Sequence, residues 1–487
     1  MNNNYLPSDY QTFIATSRYA RWLEGEGRRE TWGETVERYL QNIAKTWLKP
    51  VDLDEMRDAI LSLEVMPSMR SLMTAGKAAD RDNTCMYNCS YLPVDDPKSF
   101  DEAMFILLCG TGVGFSVERQ FIAKLPDVPS LFQSDTTVVI KDSKEGWAKG
   151  LRQVLALLWA GEIPKWDISR VRPAGARLKT FGGRASGPAP LVDLFNFAVT
   201  TFKGAQGRRL SSLECHDLMC KIGEVVVVGG VRRSAMISLS NLSDDRMRHA
   251  KSGAWWENAS HRALANNSVS YSEKPDSMSF MREWTALMES GSGERGIFNR
   301  EASVKQAAKN GRRESCYEFG TNPCSEIILR PNQFCNLTEV VIRANDSLED
   351  LTRKVRLATV LGTIQSTYTK FPYLRKVWAT NTEAERLLGV SLTGIMDNKL
   401  MTTANDGLAD TLEHLKNVAV STNAEWADRL GIPHSTAITC VKPSGTVSQL
   451  VDSSSGIHAR HSPYYIRTVR GDNKDPLTEF MKAQGIP

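Results

Sequence analysis

The segment Thr321-Asn322-Pro323-Cys324-Ser325-Glu326-Ile327-Ile328-Leu329 sets a thiol and a carboxylate two residues apart, ahead of an apolar, strand-like run. In an extended chain residues i and i+2 share a face, so Cys324 and Glu326 are expected side by side. Nearby negative charge raises a thiol's pKa, whereas a hydrolytic cysteine needs an imidazolium beside it. The pair therefore suits hydrogen-atom chemistry, with sulfur as a neutral radical and the carboxylate taking a proton from the same substrate. A loop cysteine near a glutamate also occurs without function, and the segment alone leaves both readings open.

Two more thiols stand at strand-like runs, Cys335 in Cys335-Asn336-Leu337-Thr338-Glu339 and Cys89 in Tyr87-Asn88-Cys89-Ser90-Tyr91-Leu92. Thiols arriving on neighbouring strands can close into a reversible disulfide and deliver two electrons. Burial as small apolar side chains is the plainer alternative. Structural zinc is a third: Cys85 and Cys89 are spaced C-x3-C, and Cys215 and Cys220 C-x4-C. Neither has the paired C-x2-C framework of such sites, and no metal ligand is assigned.

Residues 434–441 read as a strand, and Lys442-Pro443-Ser444-Gly445-Thr446-Val447 after them opens a short helical turn. Backbone N–H groups and hydroxyls at such a turn can receive a phosphate. An ordinary Ser/Gly connection has the same composition. Gly110-Thr111-Gly112-Val113-Gly114 lacks the G-x-G-x-x-G spacing and precedes a strand, so it gives little support to a dinucleotide fold. Neither a Walker sequence nor H-E-x-x-H occurs, and His458 and His461 read as solvated loop residues.

The elements that position these residues follow from periodicity. Residues 1–75 read as mostly helical, with Trp32, Val36, Tyr39 and Leu40 at helical spacing and 53–65 as another amphipathic segment. From Asn83 onward short apolar runs alternate with helical segments, which argues for an α/β architecture. The Gly- and Arg-rich stretch 167–190 is expected to be a surface loop. A helix is predicted over 212–224, running through Val225–Val228 into Gly229-Gly230-Val231-Arg232-Arg233, a turn with two cations suited to an anionic ligand. The 487 residues carry 60 Lys+Arg against 56 Asp+Glu, a net +4 that selects no nucleic-acid or membrane partner. No apolar run approaches the roughly 20 residues of a bilayer span, and no signal-peptide core precedes residue 20. A cytoplasmic location is expected. Nine cysteines, an odd number, do not resemble a disulfide scaffold.

Taken together these segments resemble the ribonucleotide reductases, and most closely the monomeric, adenosylcobalamin-dependent class II ribonucleoside-triphosphate reductases. The resemblance starts at Tyr19-Ala20-Arg21-Trp22-Leu23. It continues through Asn88-Cys89, Gly112-Val113-Gly114-Phe115-Ser116-Val117, Ser186-Gly187-Pro188, Gly230-Val231-Arg232-Arg233-Ser234-Ala235, Asn267-Ser268-Val269, Asn322-Pro323-Cys324, Cys335-Asn336-Leu337 and Lys442-Pro443-Ser444-Gly445-Thr446-Val447. It implies a ten-stranded α/β barrel of the ribonucleotide reductase/glycyl radical type over 76–487, behind an N-terminal helical layer over 1–75. A finger loop would carry Cys324 through the barrel's sealed centre.

By the same resemblance Glu326 takes the 3'-hydroxyl proton, Asn322 holds the ribose hydroxyls, and Cys89 and Cys335 form a disulfide as the 2'-hydroxyl leaves as water. Ser68, Pro443, Ser444, Gly445 and Thr446 are assigned to the substrate. Asp167, Arg172, Arg232 and Arg233 are assigned to a deoxynucleoside triphosphate effector, on specificity loops near 167–187 and 229–236. Adenosylcobalamin, a ribonucleotide substrate and a thioredoxin-like reductant are implied. Family members continue beyond the position matching Pro487, so missing C-terminal strands and a completing C-terminal reductase polypeptide are expected. The alternatives are a catalytically silent nucleotide-binding fragment and a reductase served by a separate metal-containing radical subunit.

Overall fold

The computed structural model describes residues 5–176, 185–228, 235–402, 406–466, 468, 473 and 476–485. Near the N-terminus, helix α1 (Trp32–Tyr39) is opened by a capping box in which the Thr31 hydroxyl accepts the Glu34 N–H and the Glu34 carboxylate accepts the Thr31 N–H. Its buried face carries Trp32, Val36 and Tyr39 of the predicted stripe, and Leu40, the fourth residue of the stripe, is buried just beyond its end. Helix α2 (Pro50–Leu61) begins on a proline, whose missing N–H costs nothing there.

The strands that matter for chemistry fall into two sheets. In chain order they are β1 (Val65–Met66), β2 (Cys89–Pro93), β3 (Gly112–Ser116), β4 (Met236–Asn241), β5 (Ala265–Tyr271), β6 (Gly296–Asn299), β7 (Gln333–Cys335), β8 (Leu337–Val341) and β9 (Gly389–Thr393). The larger sheet has the order β6-β5-β4-β3-β2-β7, parallel throughout except for the last pair. The smaller has the order β9-β8-β1, with β8 parallel to β9 and antiparallel to β1. Asn336 alone separates β7 from β8, so the chain passes from one sheet to the other directly after Cys335. All five residues of β2, of β3 and of β8 are buried, the pattern of parallel strands covered on both faces. Helix α3 (Lys98–Leu108), which links β2 to β3, is buried over ten of its residues.

A separate unit comprises two parallel strands, Phe132–Val139 and Glu162–Asp167, joined by the helix Lys144–Trp159. The expected loop after it is only partly accessible to description. Residues 177–184 lie outside the described residues, and a helix spans Ala189–Gly204. Residues 229–234, with Arg232 and Arg233, also lie outside them.

The helix starting at Ser212 runs to Val228, with Val225 and Val226 buried on it, so that packing overrides their weak helix propensity. One local expectation is corrected. Residues 434–441 are not a strand. They contribute one parallel bridge, Thr439 to Val390, since β9 offers only five residues and the Lys442 N–H turns to the Ser391 hydroxyl at 3.0 Å. Among the described residues, no helix is long and apolar enough to cross a membrane.

Candidate active site

Cys324 stands on a turn, not on an extended segment as the spacing suggested. The Ser325 N–H donates to the Asn322 carbonyl at 2.9 Å, Pro323 has no N–H to pair, and Ser325 takes a positive φ of 64°. Short strands flank the turn, Gly320–Thr321 pairing antiparallel with Ile328–Leu329, so it projects as a finger. Asn322 organises it. Its Oδ1 accepts the Ile327 N–H at 3.0 Å and its Nδ2 donates to Glu326 Oε2 at 2.7 Å. Cys324 and Glu326 are thus brought close by a side-chain brace instead of by strand alternation.

The finger crosses the glycines of β3. A methyl on Gly112 would stand 2.9 Å from Pro323 Cγ, and one on Gly114 would collide with the Thr321 carbonyl. The run Gly112-Val113-Gly114 therefore clears a path for the finger, a role unrelated to nucleotide phosphate.

Cys89 and Cys335 are directly opposed across the antiparallel pair β2/β7, with a hydrogen bond between the thiols. Cys335 ends β7 instead of heading a strand, which is what lets it face the first residue of β2. The bond from Cys335 acts first on Cys89 and lowers its pKa, while burial raises that of Cys335. Asn322 also bonds Cys89, which ties the finger to this pair. Burial, then the negative charge of Glu326 and Cys89, pushes the Cys324 thiol up to about 11. At neutral pH Cys324 is an S–H group. It is exposed, against the expectation of a sealed centre. Glu326 Oε1 is buried and has no hydrogen-bond partner among the described residues.

A cavity of about 740 Å3 adjoins these groups, with Glu326, Cys335, Asn336 and Cys440 on its wall beside Leu387, Val390 and Leu392. Ser68 lies behind the redox strands. It donates to the side chain of Asn88, next to Cys89, and its N–H bonds Gln365, which in turn donates to Asn336 Oδ1 at 2.9 Å. Of the predicted phosphate loop, Pro443 and Gly445 are exposed, and Thr446 starts a short helix, Thr446–Leu450. The Ser444 hydroxyl is already committed, donating to Glu339 Oε2 at 2.6 Å and accepting the Ser448 N–H.

Two charged residues here were not singled out from the sequence. Glu339 is buried on β8, and burial raises its pKa. Lys442 acts electrostatically on Glu339, Cys89, Cys335 and Glu326 together. The signal for Lys442 was its place in the phosphate-loop motif. Glu339 had none, since a glutamate within an apolar strand gives no warning of what it faces.

The predicted effector residues are elsewhere. Asp167 ends its strand half-buried and accepts the Ser169 N–H at 2.8 Å, while the Arg172 Nε donates to Asp142 at 2.7 Å. Arg232 and Arg233 lie outside the described residues.

Residues 126–201 match the family model described as "B12-dependent ribonucleotide reductase, insertion domain". Over 96% of its length the chain is 30% identical to an adenosylcobalamin-dependent ribonucleoside-triphosphate reductase of Lactobacillus delbrueckii subsp. bulgaricus, covering 75% of that protein. It is 29% identical, with the same coverage, to the protein of that description from Lactobacillus leichmannii. Among solved structures, a B12-dependent (class II) ribonucleotide reductase superposes with a TM-score of 0.78 at 24% identity, over 91% of this chain and 74% of that one. The α subunit of a class Id ribonucleotide reductase from Actinobacillus ureae gives a TM-score of 0.57 at 13% identity, over 99% and 80%.

Proposed function

The chain belongs to the adenosylcobalamin-dependent ribonucleoside-triphosphate reductase family, and on that basis we propose that it reduces ribonucleoside triphosphates at the 2' carbon with Cys324 as the radical thiol. The single observation that carries this reading is the arrangement around the finger. A neutral thiol, a carboxylate with an unpartnered buried oxygen and a cross-strand thiol pair meet beside one cavity. Each is a different requirement of the same reaction.

In this reading Cys324, held as S–H, would give its hydrogen atom to the radical that the bound cofactor supplies, take the hydrogen from the 3' carbon, and return it there once the 2' carbon is reduced. Glu326 Oε1 accepts the 3'-hydroxyl proton, and the hydrogen bond from Asn322 keeps the other carboxylate oxygen oriented. Cys335 and Cys89 then supply two electrons and close into a disulfide as the 2' oxygen leaves as water. The lowered pKa of Cys89 and the raised pKa of Cys335 separate the two thiols into a thiolate-like partner and a proton carrier. Lys442 balances the negative charge gathered by Glu326, Glu339 and the pair. The exposed part of the loop Pro443 to Thr446 offers backbone to the substrate phosphates, with Ser68 supporting the redox strands from behind.

The apolar wall of Leu387, Val390 and Leu392, which reaches Cys335 and Glu326, is read as the part of the cavity that would face a corrin ring. When bound, adenosylcobalamin supplies radical chemistry through its homolytically labile carbon–cobalt bond. The two sheets joined at Asn336 are read as walls of the family's α/β barrel around the finger. Residues 126–201 are read as the unit that receives a deoxynucleoside triphosphate effector, with Asp167 and Arg172 as candidates, and a thioredoxin-like protein as the external reductant.

The test is nucleotide reduction with adenosylcobalamin, a ribonucleoside triphosphate and a dithiol, comparing the wild-type chain with Cys324→Ser under identical conditions, including any added family polypeptide. Loss of at least about 10³-fold is expected of Cys324→Ser. A variant that keeps a third of the activity would overturn the assignment.

A further inference from the structure

The finger that carries Cys324 is gripped at its base by two buried ion pairs that the reaction above leaves unused. Arg300 follows β6 directly, and Glu118 stands just beyond the end of β3. The Arg300 guanidinium donates to both Glu118 oxygens, at 2.8 and 2.6 Å, and its Nε donates to the Phe319 carbonyl at 2.7 Å. Phe319 immediately precedes the outgoing limb of the finger, Gly320–Thr321. Arg313 repeats the arrangement on the return limb. Its Nε and Nη2 donate to the two Glu385 oxygens at 3.0 and 2.9 Å, and its Nη1 donates to the Ile328 carbonyl at 2.9 Å. Glu385 ends the helix Lys376–Glu385 ahead of β9, and it also accepts from the side chain of Gln333, the first residue of β7, at 2.6 Å. One limb is thereby fixed to the larger sheet, and the other between the strand of Cys335 and the entry to the smaller sheet.

Among the described residues, three Arg–Glu pairs have both side chains at most 6% exposed: these two and Arg295–Glu283. Desolvation of two charges largely cancels their attraction, so a buried pair is a poor source of stability. What it supplies is geometry. A carboxylate that takes two N–H bonds fixes the plane of the guanidinium and so aims the remaining donor. In Arg300 and Arg313 that donor meets a carbonyl of the finger. Arg295 instead donates to the Asn241 and Leu242 carbonyls at the end of β4.

We propose that Arg300 and Arg313 are positioning residues for the reaction, holding the two limbs of the finger to the two sheets so that Cys324 stands at a fixed place relative to the Cys89–Cys335 pair. Each acts through the backbone of the finger. The inference rests on the reading of Cys324 as the radical thiol. Hydrogen-atom transfer needs the reacting groups in near contact, and a misplacement of about 1 Å costs about 10²-fold in rate. Lysine keeps the charge of either arginine but lacks the fork that holds carboxylate and carbonyl together. Cys324 itself reports the position of the finger. Burial, then Glu326 and Cys89, raises its pKa, and Lys442 lowers it. Glu326 travels with the finger through the Asn322 brace, whereas Cys89 belongs to β2. A finger released from a clamp therefore exposes Cys324 and parts it from Cys89, and both changes bring the thiol down toward its ordinary range.

Arg300→Lys and Arg313→Lys are compared with Arg295→Lys, an equally buried pair that does not touch the finger. Alkylation of Cys324 in the folded chain is followed by mass spectrometry across pH, without nucleotide or cobalamin. The two finger variants are expected to shift the Cys324 profile down by about one pH unit, a gain of about tenfold in rate near neutrality, and Arg295→Lys to stay within about twofold of wild type. The double variant Arg313→Met with Glu385→Leu removes both charges together, which spares the fold, and is expected to show the same shift at a Tm within a few degrees of wild type. In nucleotide reduction the finger variants are expected to lose at least about tenfold in kcat with KM within about twofold. An unchanged Cys324 profile in the lysine variants and the double variant overturns the proposal. An equal shift in Arg295→Lys overturns it as well, since that marks a general loosening, and so does a shifted profile with kcat within about twofold of wild type. The alkylation profile needs no turnover, so activity retained by Cys324→Ser would overturn the radical reading and not the clamping of the finger.

Discussion

Two groups of cysteines in this molecule have the same composition and opposite settings. Cys85, Cys109, Cys215 and Cys220 are at most 3% exposed and pack inside the main core. Burial raises the pKa of Cys85, of Cys109 to about 12, and of Cys215. Cys220 even lies against a histidine, but His216 is enclosed, bonded to Asp217 at 3.1 Å and Asn267 at 2.9 Å. Burial opposes charge on that ring, and Cys220 and Asp217 outweigh it and raise its pKa to about 10. This is a locked structural cation, with no route for a substrate. Around the finger, by contrast, the thiols differ from one another: Cys324 and Cys335 are raised and Cys89 lowered. They share a carboxylate with a free oxygen and a cavity that opens to solvent. Thiol chemistry here depends on unequal neighbours and access, and a cysteine beside a histidine lacks both.

The sharpest way to break that contrast is to remove the carboxylate while keeping its shape. Glu326→Gln should lower nucleotide reduction about 10²- to 10⁴-fold with little change in substrate KM, because a proton acceptor is lost and not a binding surface. A change confined to KM would move Glu326 out of the chemistry.

Alkylation sharpens it next. Only the thiolate reacts, so a group with lowered pKa reacts at lower pH and one with raised pKa at higher pH. In the folded protein, with an alkylating agent small enough to reach both thiols, Cys89 should react at lower pH than Cys324. Cys324 should show a rate rising about tenfold per pH unit until near 11. Cys335→Ala should move Cys89 upward by removing the bond that favours its charged form. Mass-spectrometric rates at each cysteine across pH would report the order, and equal profiles for Cys89 and Cys324 would erase the distinction.

The smallest effect belongs to the core group. Cys215→Ala should cost on the order of 1 kcal/mol of stability, visible as a fall of a few degrees in Tm, and leave the nucleotide reduction rate at permissive temperature unchanged. A tenfold loss of rate in a folded Cys215→Ala protein would mean that the core thiols are not merely structural.

Much of the site was legible before any coordinates, because its residues fall in short motifs. Asn322, Cys324 and Glu326 lie within five positions, and the motifs at Cys89 and Cys335 are equally local. Pattern also served for α1, where Trp32, Val36 and Tyr39 of the expected stripe are buried. It misled where long-range partners decide. Residues 434–441 have strand composition but find only one bridge along β9. The glycines of β3, which gave little support to a dinucleotide fold, acquire a role only from the finger that crosses them.

Sequence by itself determined which atoms are available for chemistry and which elements carry them, since residue type and short spacing are local properties of the chain. Tertiary structure alone decided that Cys89 meets Cys335 across 246 positions of chain, which of the two thiols is the more acidic, and that Glu326 keeps one oxygen without a partner among the described residues. Those outcomes arise from burial and from hydrogen bonds between distant segments, and such terms exist only once the segments are packed together.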